Sequence, residues 1–333
     1  MPPHSWAGCP YHFVGGGAGE VSEPVQVAVI GVGHLGQHHA RVFHELETTN
    51  LVAVVDIDPE RGRHIAEEYQ ARYCSSMAQL PDTVEAVSVV TPTVNHLDSA
   101  LEALARECHI FVEKPITHSV EEAQQLVESA EKQGKVLQVG HIERFNSAVI
   151  ELRKYLHEPG FVESHRLGPP VPRVKDIGVV KDLMIHDLDL ILSLLESEVE
   201  SVEAVGIPVL TPFEDIANAR LHFENGCIAN LTVSRVTPEH MRKIRFFQSD
   251  AYLSLDYQQQ QLQIYRKVVS AEGDSPTIER KIHQMEKGDA LRRELAAFAE
   301  AIQKQTRAVV TGQDGLRALA LAEEISRQIH RRL

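Results

Sequence analysis

The chain has 333 residues, of which 43% are hydrophobic and 24% are charged, values typical of a folded globular protein rather than a disordered or fibrous one. This length favours two domains or one large α/β unit. The 47 acidic residues outnumber the 33 Lys and Arg residues, and the net charge of −14 disfavours binding to nucleic acid.

Neither a membrane span nor a disulfide framework is predicted. No apolar run reaches the roughly 18 residues that cross a bilayer. The four cysteines are scattered and form no C-x-x-C pair, which is typical of reduced thiols in a cytoplasmic protein. Residues 1–24 include a glycine-rich run and lack the basic start and apolar segment of a signal peptide, so they are predicted to be a flexible leader.

Strands and helices alternate in the first half of the chain. The predicted strands cover residues 25–30, 51–55, 86–90, 109–112 and 136–139. The predicted helices cover residues 37–46, 59–69, 97–106 and 120–133. Short apolar strands joined by helices indicate a doubly wound parallel sheet of the Rossmann type, and we place this NAD-binding domain at residues 25–145.

The pattern changes in residues 146–333. A helix runs to residue 155, a Gly- and Pro-rich basic stretch covers 168–181, and a helix covers 182–195. Consecutive strands are then predicted at 202–209, 217–223, 227–234, 244–247, 252–255 and 262–265, and helices at 290–303 and 314–329. Strands without intervening helices predict an α+β domain with a mainly antiparallel open sheet, which makes the whole chain an α/β protein.

A G-x-G-x-x-G motif directly follows the first predicted strand and opens a helix. Gly31 permits a tight turn, Gly33 lets the backbone approach a pyrophosphate, and Gly36 lets the helix pack closely on the sheet. Asp56 ends the second strand, where a carboxylate can bind the ribose hydroxyls of adenosine and would repel a 2′-phosphate. We therefore expect NAD as cofactor; the alternative is an ordinary glycine turn with an unrelated acid.

The predicted cofactor contacts lie at the carboxyl ends of the strands, where ligands of open α/β sheets bind. They are Gly31, Gly33, His34, Leu35, Gly36, Asp56, Thr91, Pro92, His96, Glu113 and Lys114.

Two further motifs carry chemically useful side chains. The string Glu113-Lys114-Pro115 ends another strand, and the proline keeps Lys114 out of the helical conformation, so that its side chain can be held toward the crevice. Asp182 and His186 are spaced i,i+4, which places them on one face of a predicted helix.

A glycine-rich loop, then E-K-P, then D-x-x-x-H resembles the glucose–fructose oxidoreductase/inositol dehydrogenase/rhizopine-catabolism family over about residues 25–329. The resemblance implies that Lys114, Asp182 and His186 are catalytic and line the site where the nicotinamide meets the substrate. His186 can accept a hydroxyl proton because the pKa of histidine lies near neutrality. Asp182 can orient the histidine or hold substrate, and Lys114 can stabilise a developing alkoxide.

A metal site is the rival interpretation of the second motif. Asp189 follows His186 by three residues, so D-x-x-x-H-x-x-D could supply three ligands. We predict no metal, because no further His or Glu cluster adjoins the motif and a dinucleotide already supplies the electron chemistry. Asp187 is predicted to be an ordinary surface acid.

Two strings indicate a narrower resemblance. Residues 139–146 (VGHIERFN) and 176–187 (DIGVVKDLMIHD) resemble the branch of the family that oxidises C3 of UDP-N-acetylglucosamine. In that branch the 3-keto sugar nucleotide passes to an aminotransferase, which gives a 3-amino sugar for lipid A. The resemblance implies a sugar-nucleotide substrate and a pathway aminotransferase as partner.

The stretch from Arg144 to Lys181 supports the same substrate by its charge. It contains seven basic and four acidic residues, a net charge of +3 in a strongly acidic chain. Such cations suit a diphosphate, although a solvated basic loop would have the same composition. The predicted substrate contacts are His141, Arg144, Asn146, Arg166, Arg173, Asp182 and His186.

Two other functions fit the sequence. One is the oxidation of a free polyol or sugar such as myo-inositol, and the other is a non-catalytic NAD-binding regulatory protein, which would not need Lys114, Asp182 and His186. The resemblance also implies that the open sheet mediates a homodimer or homotetramer.

Overall fold

The computed structural model describes residues 23–170, 177–269 and 275–331. The predicted leader lies outside these ranges except for Glu23 and Pro24. No helix in the described part of the chain is long and apolar enough to cross a membrane.

The first half of the chain forms a parallel sheet. Its strands are β1 (Val25–Ile30), β2 (Thr49–Val55), β3 (Arg72–Cys74), β4 (Ala86–Val89), β5 (His109–Glu113) and β6 (Leu137–Gly140). The helices of this half are α1 (Gly36–Glu45), α2 (Pro59–Glu68), α3 (His96–Ala105) and α4 (Val120–Lys132). The order β3-β2-β1-β4-β5-β6 confirms the predicted doubly wound sheet.

This strand order fixes where a ligand can bind. Successive strands run outward from β1 in one direction and then outward from β4 in the other, so the connections that leave these two neighbours diverge. A crevice opens there, at the carboxyl ends of the strands. In this first sheet the sequence analysis missed the short edge strand β3, because three residues that include an exposed Arg72 give no apolar run.

The second half forms a larger sheet behind this crevice. Its strands are β7 (Phe161–Leu167), β8 (Val199–Ile207), β9 (Ile216–Phe223), β10 (Ile228–Ser234), β11 (Met241–Phe247), β12 (Ala251–Asp256), β13 (Gln261–Val268) and β14 (Thr277–Gln284). The order is β14-β13-β12-β11-β7-β10-β9-β8. All neighbouring pairs are antiparallel except β7 with β10, which confirms the mainly antiparallel prediction.

Two strands of this sheet were not predicted. β7 lies in the middle of the sheet, and Val162, Ser164 and Arg166 point to its buried face. A serine and an arginine at buried positions remove the apolar alternation on which a strand prediction depends. β14 is a polar edge strand with almost every residue exposed, so it has no apolar face to detect.

Four helices complete the second half: α5 (Ser147–Leu152), α6 (Ile185–Leu195), α7 (Ala290–Gln303) and α8 (Gly312–His330). α7 returns to the first sheet, where Leu295 and Phe298 share a core cluster with Val27 and Phe43. α8 contacts both α4 and α6. Through these contacts, α7 and α8 connect the two halves of the chain.

Candidate active site

The glycine loop after β1 has the geometry of a phosphate-binding turn. Gly31 has a φ of +85°, and a Cβ atom there would lie 2.9 Å from the carbonyl oxygen of Val90. Gly33 has open space around it, and it forms an exposed crest with His34 and Leu35. No side chain caps α1, and the amides of this crest donate to no acceptor in the described part of the chain. The loop therefore fits the pyrophosphate of a dinucleotide.

Asp56 lies beside this loop, as predicted, but it already has a partner. Its buried carboxylate accepts hydrogen bonds from the amides of Val32 at 2.9 Å and Asp58 at 2.8 Å, and it pairs with Arg61 through Nη2 at 2.6 Å and Nε at 3.1 Å. Burial opposes the charge, yet the Arg61 guanidinium and the amides lower the pKa of Asp56. The four acceptor directions of the carboxylate are therefore occupied, and a ribose hydroxyl must replace the half-exposed Arg61.

Of the residues after β4, Thr91 is placed to contact a ligand, but His96 is not. The hydroxyl oxygen of Thr91 is buried without a hydrogen-bond partner among the described residues, and Pro92 is exposed beside it. The ring of His96 is buried, and its nitrogens lie 2.9 Å from the carbonyl oxygens of Thr91 and Pro115. Since both nitrogens face backbone carbonyls, the structure corrects the predicted cofactor contact: His96 joins two loops that flank the crevice.

Glu113 also acts from behind the crevice. His39 lies on α1 with one ring nitrogen 2.9 Å from the Ser88 hydroxyl and the other 3.2 Å from the Glu113 carboxylate. The other carboxylate oxygen of Glu113 accepts the Lys114 amide at 3.1 Å. Burial opposes the charge of Glu113, but His39 and Lys114 lower its pKa. The charged carboxylate thus ties the helix of the glycine loop to the lysine.

Lys114 and Asp182 meet across the crevice. The Lys114–Pro115 peptide bond is cis, and the Lys114 ammonium donates to the Asp182 carbonyl oxygen at 2.9 Å and lies 3.4 Å from its carboxylate. Their side chains are 17% and 20% exposed, so a bound molecule can reach both. Asp182 lies in a single π-helical turn, Val180–Met184, that precedes α6, where the sequence analysis predicted regular α-helix. Such turns are frequent at functional sites.

His186 is the base candidate at the centre of this group. It is partly buried on the first turn of α6, and its Nδ1 has no hydrogen-bond partner among the described residues. Burial, followed by the positive charges of Lys114 and Arg166, holds the pKa of His186 well below its usual value of 6.5. The imidazole is therefore neutral at pH 7 and can accept a proton.

Arg166 was predicted to bind the substrate diphosphate, but in the structure its guanidinium is paired with carboxylates. Its buried guanidinium forms a two-point ion pair with Asp187, at 2.9 and 3.2 Å, and a third bond with Glu143 at 3.1 Å. The prediction that Asp187 is a surface acid is wrong, because Asp187 is 1% exposed. Its partner lies 21 residues earlier on β7, and local sequence gives no sign of this pairing.

A second buried ion pair involves Asp189, which would be the third ligand in the rival metal-site interpretation. Asp189 is 1% exposed and accepts two hydrogen bonds from Arg144, one from Nε at 2.8 Å and one from Nη2 at 2.5 Å. His141 lies 3.9 Å from the same carboxylate, and both its ring nitrogens lack a hydrogen-bond partner in the described ranges. Within those ranges no group of three or more His, Cys, Asp or Glu residues is arranged to hold a metal ion.

The remaining predicted substrate contacts differ in outcome. Asn146 is buried and caps α5, where its side chain accepts the Ala148 amide at 3.0 Å, so the structure assigns it to the helix rather than to a ligand. Arg173 lies outside the described residues. His141 lies near the base His186: in its positive form it would further lower the pKa of His186.

Glu294 on α7 was missed entirely. It is fully buried, and neither carboxylate oxygen has a hydrogen-bond partner among the described residues. Burial, followed by the negative charges of Glu113 and Asp189, raises its pKa well above the usual value, which favours the neutral acid. Its sequence neighbours on an amphipathic helix suggest a surface glutamate, because nothing local reveals the carboxylates behind it.

Most of the chain is similar to known oxidoreductases. Residues 25–141 match the oxidoreductase family with NAD-binding Rossmann fold designated GFO_IDH_MocA, and residues 140–254 match the GFO/IDH/MocA C-terminal domain. The chain is 38% identical over 302 residues to UDP-N-acetylglucosamine 3-dehydrogenase of Acidithiobacillus ferrooxidans, which covers 90% of this chain and 96% of that protein.

Two further similarities define the range of relatives. A solved structure of the Acidithiobacillus ferrooxidans UDP-N-acetylglucosamine 3-dehydrogenase superimposes with a TM-score of 0.86 and 36% identity, covering 93% of this chain and 99% of that one. An NAD⁺-dependent scyllo-inositol 2-dehydrogenase of Bacillus subtilis is 29% identical over 87% of this chain and 90% of its own length.

Proposed function

We propose that this chain, which belongs to the GFO/IDH/MocA family of oxidoreductases, oxidises the C3 hydroxyl of UDP-N-acetylglucosamine with NAD as cofactor. The observation that carries this proposal is the meeting of Lys114, Asp182 and His186 at the crevice that the glycine loop opens. The 38% identity to an enzyme named for that reaction supports the choice of substrate.

The chain's own residues can perform the proton chemistry of such an oxidation. Bound NAD would supply the acceptor for the two electrons that leave the substrate carbon. His186 is neutral at pH 7 and takes the hydroxyl proton. The Lys114 ammonium stabilises the negative charge that develops on the oxygen as this proton leaves. Asp182 holds the ammonium in place through its carbonyl and carboxylate oxygens.

A panel of four alcohols tests the substrate. We expect NAD-dependent oxidation of UDP-N-acetylglucosamine with kcat/KM at least about a hundredfold above that for free N-acetylglucosamine or myo-inositol, because the nucleotide contributes binding energy that the free sugars lack. Its C4 epimer, UDP-N-acetylgalactosamine, controls for the nucleotide alone. Faster turnover of myo-inositol than of either nucleotide sugar would contradict the proposal and favour the polyol dehydrogenase alternative.

The cofactor preference should depend on Asp56. We expect NAD⁺ to bind at least about tenfold more tightly than NADP⁺, or roughly 1.4 kcal/mol, because the carboxylate repels a 2′-phosphate. Calorimetry on Asp56→Ser should show this preference reduced. Arg61→Ala is the matched control, since it removes the cation that could neutralise the phosphate and should retain or enlarge the preference. Equal affinities of the wild-type protein for both cofactors would remove Asp56 from the site.

The reaction product suggests the next step. A 3-keto sugar nucleotide is a substrate for transamination, so we propose that an aminotransferase consumes it to give a 3-amino sugar for lipid A. Both steps use cytoplasmic nucleotide sugars, and we place the protein in that compartment. We further propose a homodimer or homotetramer assembled through the open sheet, on which Ile278 and Ile282 of β14 are exposed.

A further inference from the structure

One arginine at the mouth of the crevice has no charged partner in the part of the chain that the structure describes. Arg242 lies on β11, where its Cα pairs with that of Arg166 on β7, so both side chains leave the same face of the sheet. Ile244 and Phe246, which follow Arg242 on the same face of β11, are buried in the hydrophobic core. Arg242 is exposed, and among the described residues its guanidinium forms no ion pair and donates no hydrogen bond.

Arg242 and His186 share Arg166 as a charged neighbour. Burial and the neighbouring Arg166 lower the pKa of Arg242, whereas Glu143 and Asp187 oppose this change. Arg242 is also one of the cations that lower the pKa of His186. Arg166 forms ion pairs with Asp187 and Glu143, whereas Arg242 forms none among the described residues, so its guanidinium is available to a ligand.

A second polar group on the same face of the sheet, the Tyr257 hydroxyl, also lacks a partner among the described residues. Tyr257 is 6% exposed, and its hydroxyl oxygen forms no hydrogen bond within the described ranges. Its backbone amide donates to the Arg242 carbonyl oxygen at 3.0 Å, and the Arg166 guanidinium lies 5.3 Å from its ring centre. A buried hydroxyl without a partner is unfavourable, so a ligand oxygen is its natural acceptor. Burial raises the pKa of Tyr257, which keeps the hydroxyl a donor at neutral pH.

We propose that Arg242 and Tyr257 form the subsite for the diphosphate of a nucleoside diphosphate sugar. This assignment rests on the proposed function for the position of the reacting carbon. In such a sugar the diphosphate is attached to C1 and the oxidised hydroxyl to C3 of the same ring. The distance between the phosphates and His186 is therefore set by the width of one sugar ring. An arginine can donate two parallel hydrogen bonds to phosphate oxygens, and the tyrosine adds a third.

The subsite can be tested without any oxidation. Calorimetric titration with UDP, at one fixed ionic strength, should show a Kd about tenfold or more higher for Arg242→Gln than for the wild-type protein, because charge-assisted hydrogen bonds are lost. Tyr257→Phe should weaken UDP several-fold. Arg245→Gln is the matched control: it removes one positive charge from the same strand, but Arg245 points to the other face and pairs with Glu163 at 2.7 Å.

Each outcome separates this inference from the proposed function. If Arg242→Gln binds UDP as tightly as Arg245→Gln does, the subsite is wrong even when UDP-N-acetylglucosamine is oxidised normally. If the wild-type protein binds no UDP, the subsite is equally wrong. If UDP binding depends on Arg242 while UDP-N-acetylglucosamine is not oxidised, the subsite stands and the proposed sugar fails.

Discussion

Replacing His186 with alanine is expected to lower kcat for alcohol oxidation by about 10²–10⁴, the usual effect of removing a positioned general base. The side chain is the neutral acceptor at the crevice, and its Nδ1 forms no competing hydrogen bond among the described residues. Binding of NAD, measured by calorimetry, should be nearly unchanged because the glycine loop lies on the other domain. Full activity of His186→Ala would contradict the role of base.

The pH dependence gives an independent readout of the same residue. Burial and nearby cations lower the pKa of His186, so the protonated, inactive form of this residue appears only at acidic pH. As the pH is lowered from 8, the logarithm of kcat/KM should therefore stay constant until the pH is below 6.5, the usual pKa of histidine. Below that point it should fall, because His186 becomes protonated. The ordinary pKa of histidine, on which the sequence analysis relied, would instead place this limb in the neutral region. A limb that persists unchanged in His186→Ala belongs to another group.

Removing Arg166 is expected to cost about 3–5 kcal/mol in the free energy of unfolding, because it leaves the buried Asp187 carboxylate without its cation. Asp187→Ala should be similarly destabilising, since Arg166 is then the unpaired buried charge. The double variant Arg166→Met/Asp187→Leu should recover most of the loss, since no unpaired buried charge then remains in this pair. Denaturant unfolding measures all three.

An exposed ion pair is the control for this experiment. Lys154, whose side chain is 63% exposed, pairs with Glu151, and Lys154→Ala should change the free energy of unfolding by less than about 1 kcal/mol. If Arg166→Ala costs no more than Lys154→Ala, the buried pair is not a structural element. Arg166 would then be free to bind substrate, as the sequence analysis predicted.

The first domain could be predicted from sequence because its signals are local. Each buried parallel strand is a short apolar run, and Gly31, Gly33 and Gly36 directly follow one of them. Asp56 was found by the same reasoning, because its position depends only on the end of a strand. The ion pair between Arg61 and the Asp56 carboxylate was not predicted, because it forms only when α2 places Arg61 next to the end of β2.

The second domain shows where such reasoning fails. Arg166 was recognised as a cation, but its pairing with Asp187 joins β7 to α6, and only the folded structure brings them together. The same applies to Arg242, which lies in a strand of unremarkable sequence and reaches the crevice because β11 pairs with β7. Charged residues at buried positions both conceal a strand and determine the electrostatics of the site.

The most direct test of the central claim follows the hydrogen on C3. UDP-N-acetylglucosamine deuterated at C3 should give a ketone product without deuterium and reduced nicotinamide that carries it, both detected by mass spectrometry, and the reaction should be about 10²–10⁴ slower in His186→Ala. Deuterium retained in the oxidised sugar would show that another carbon reacts, and would contradict the proposal that this crevice oxidises C3.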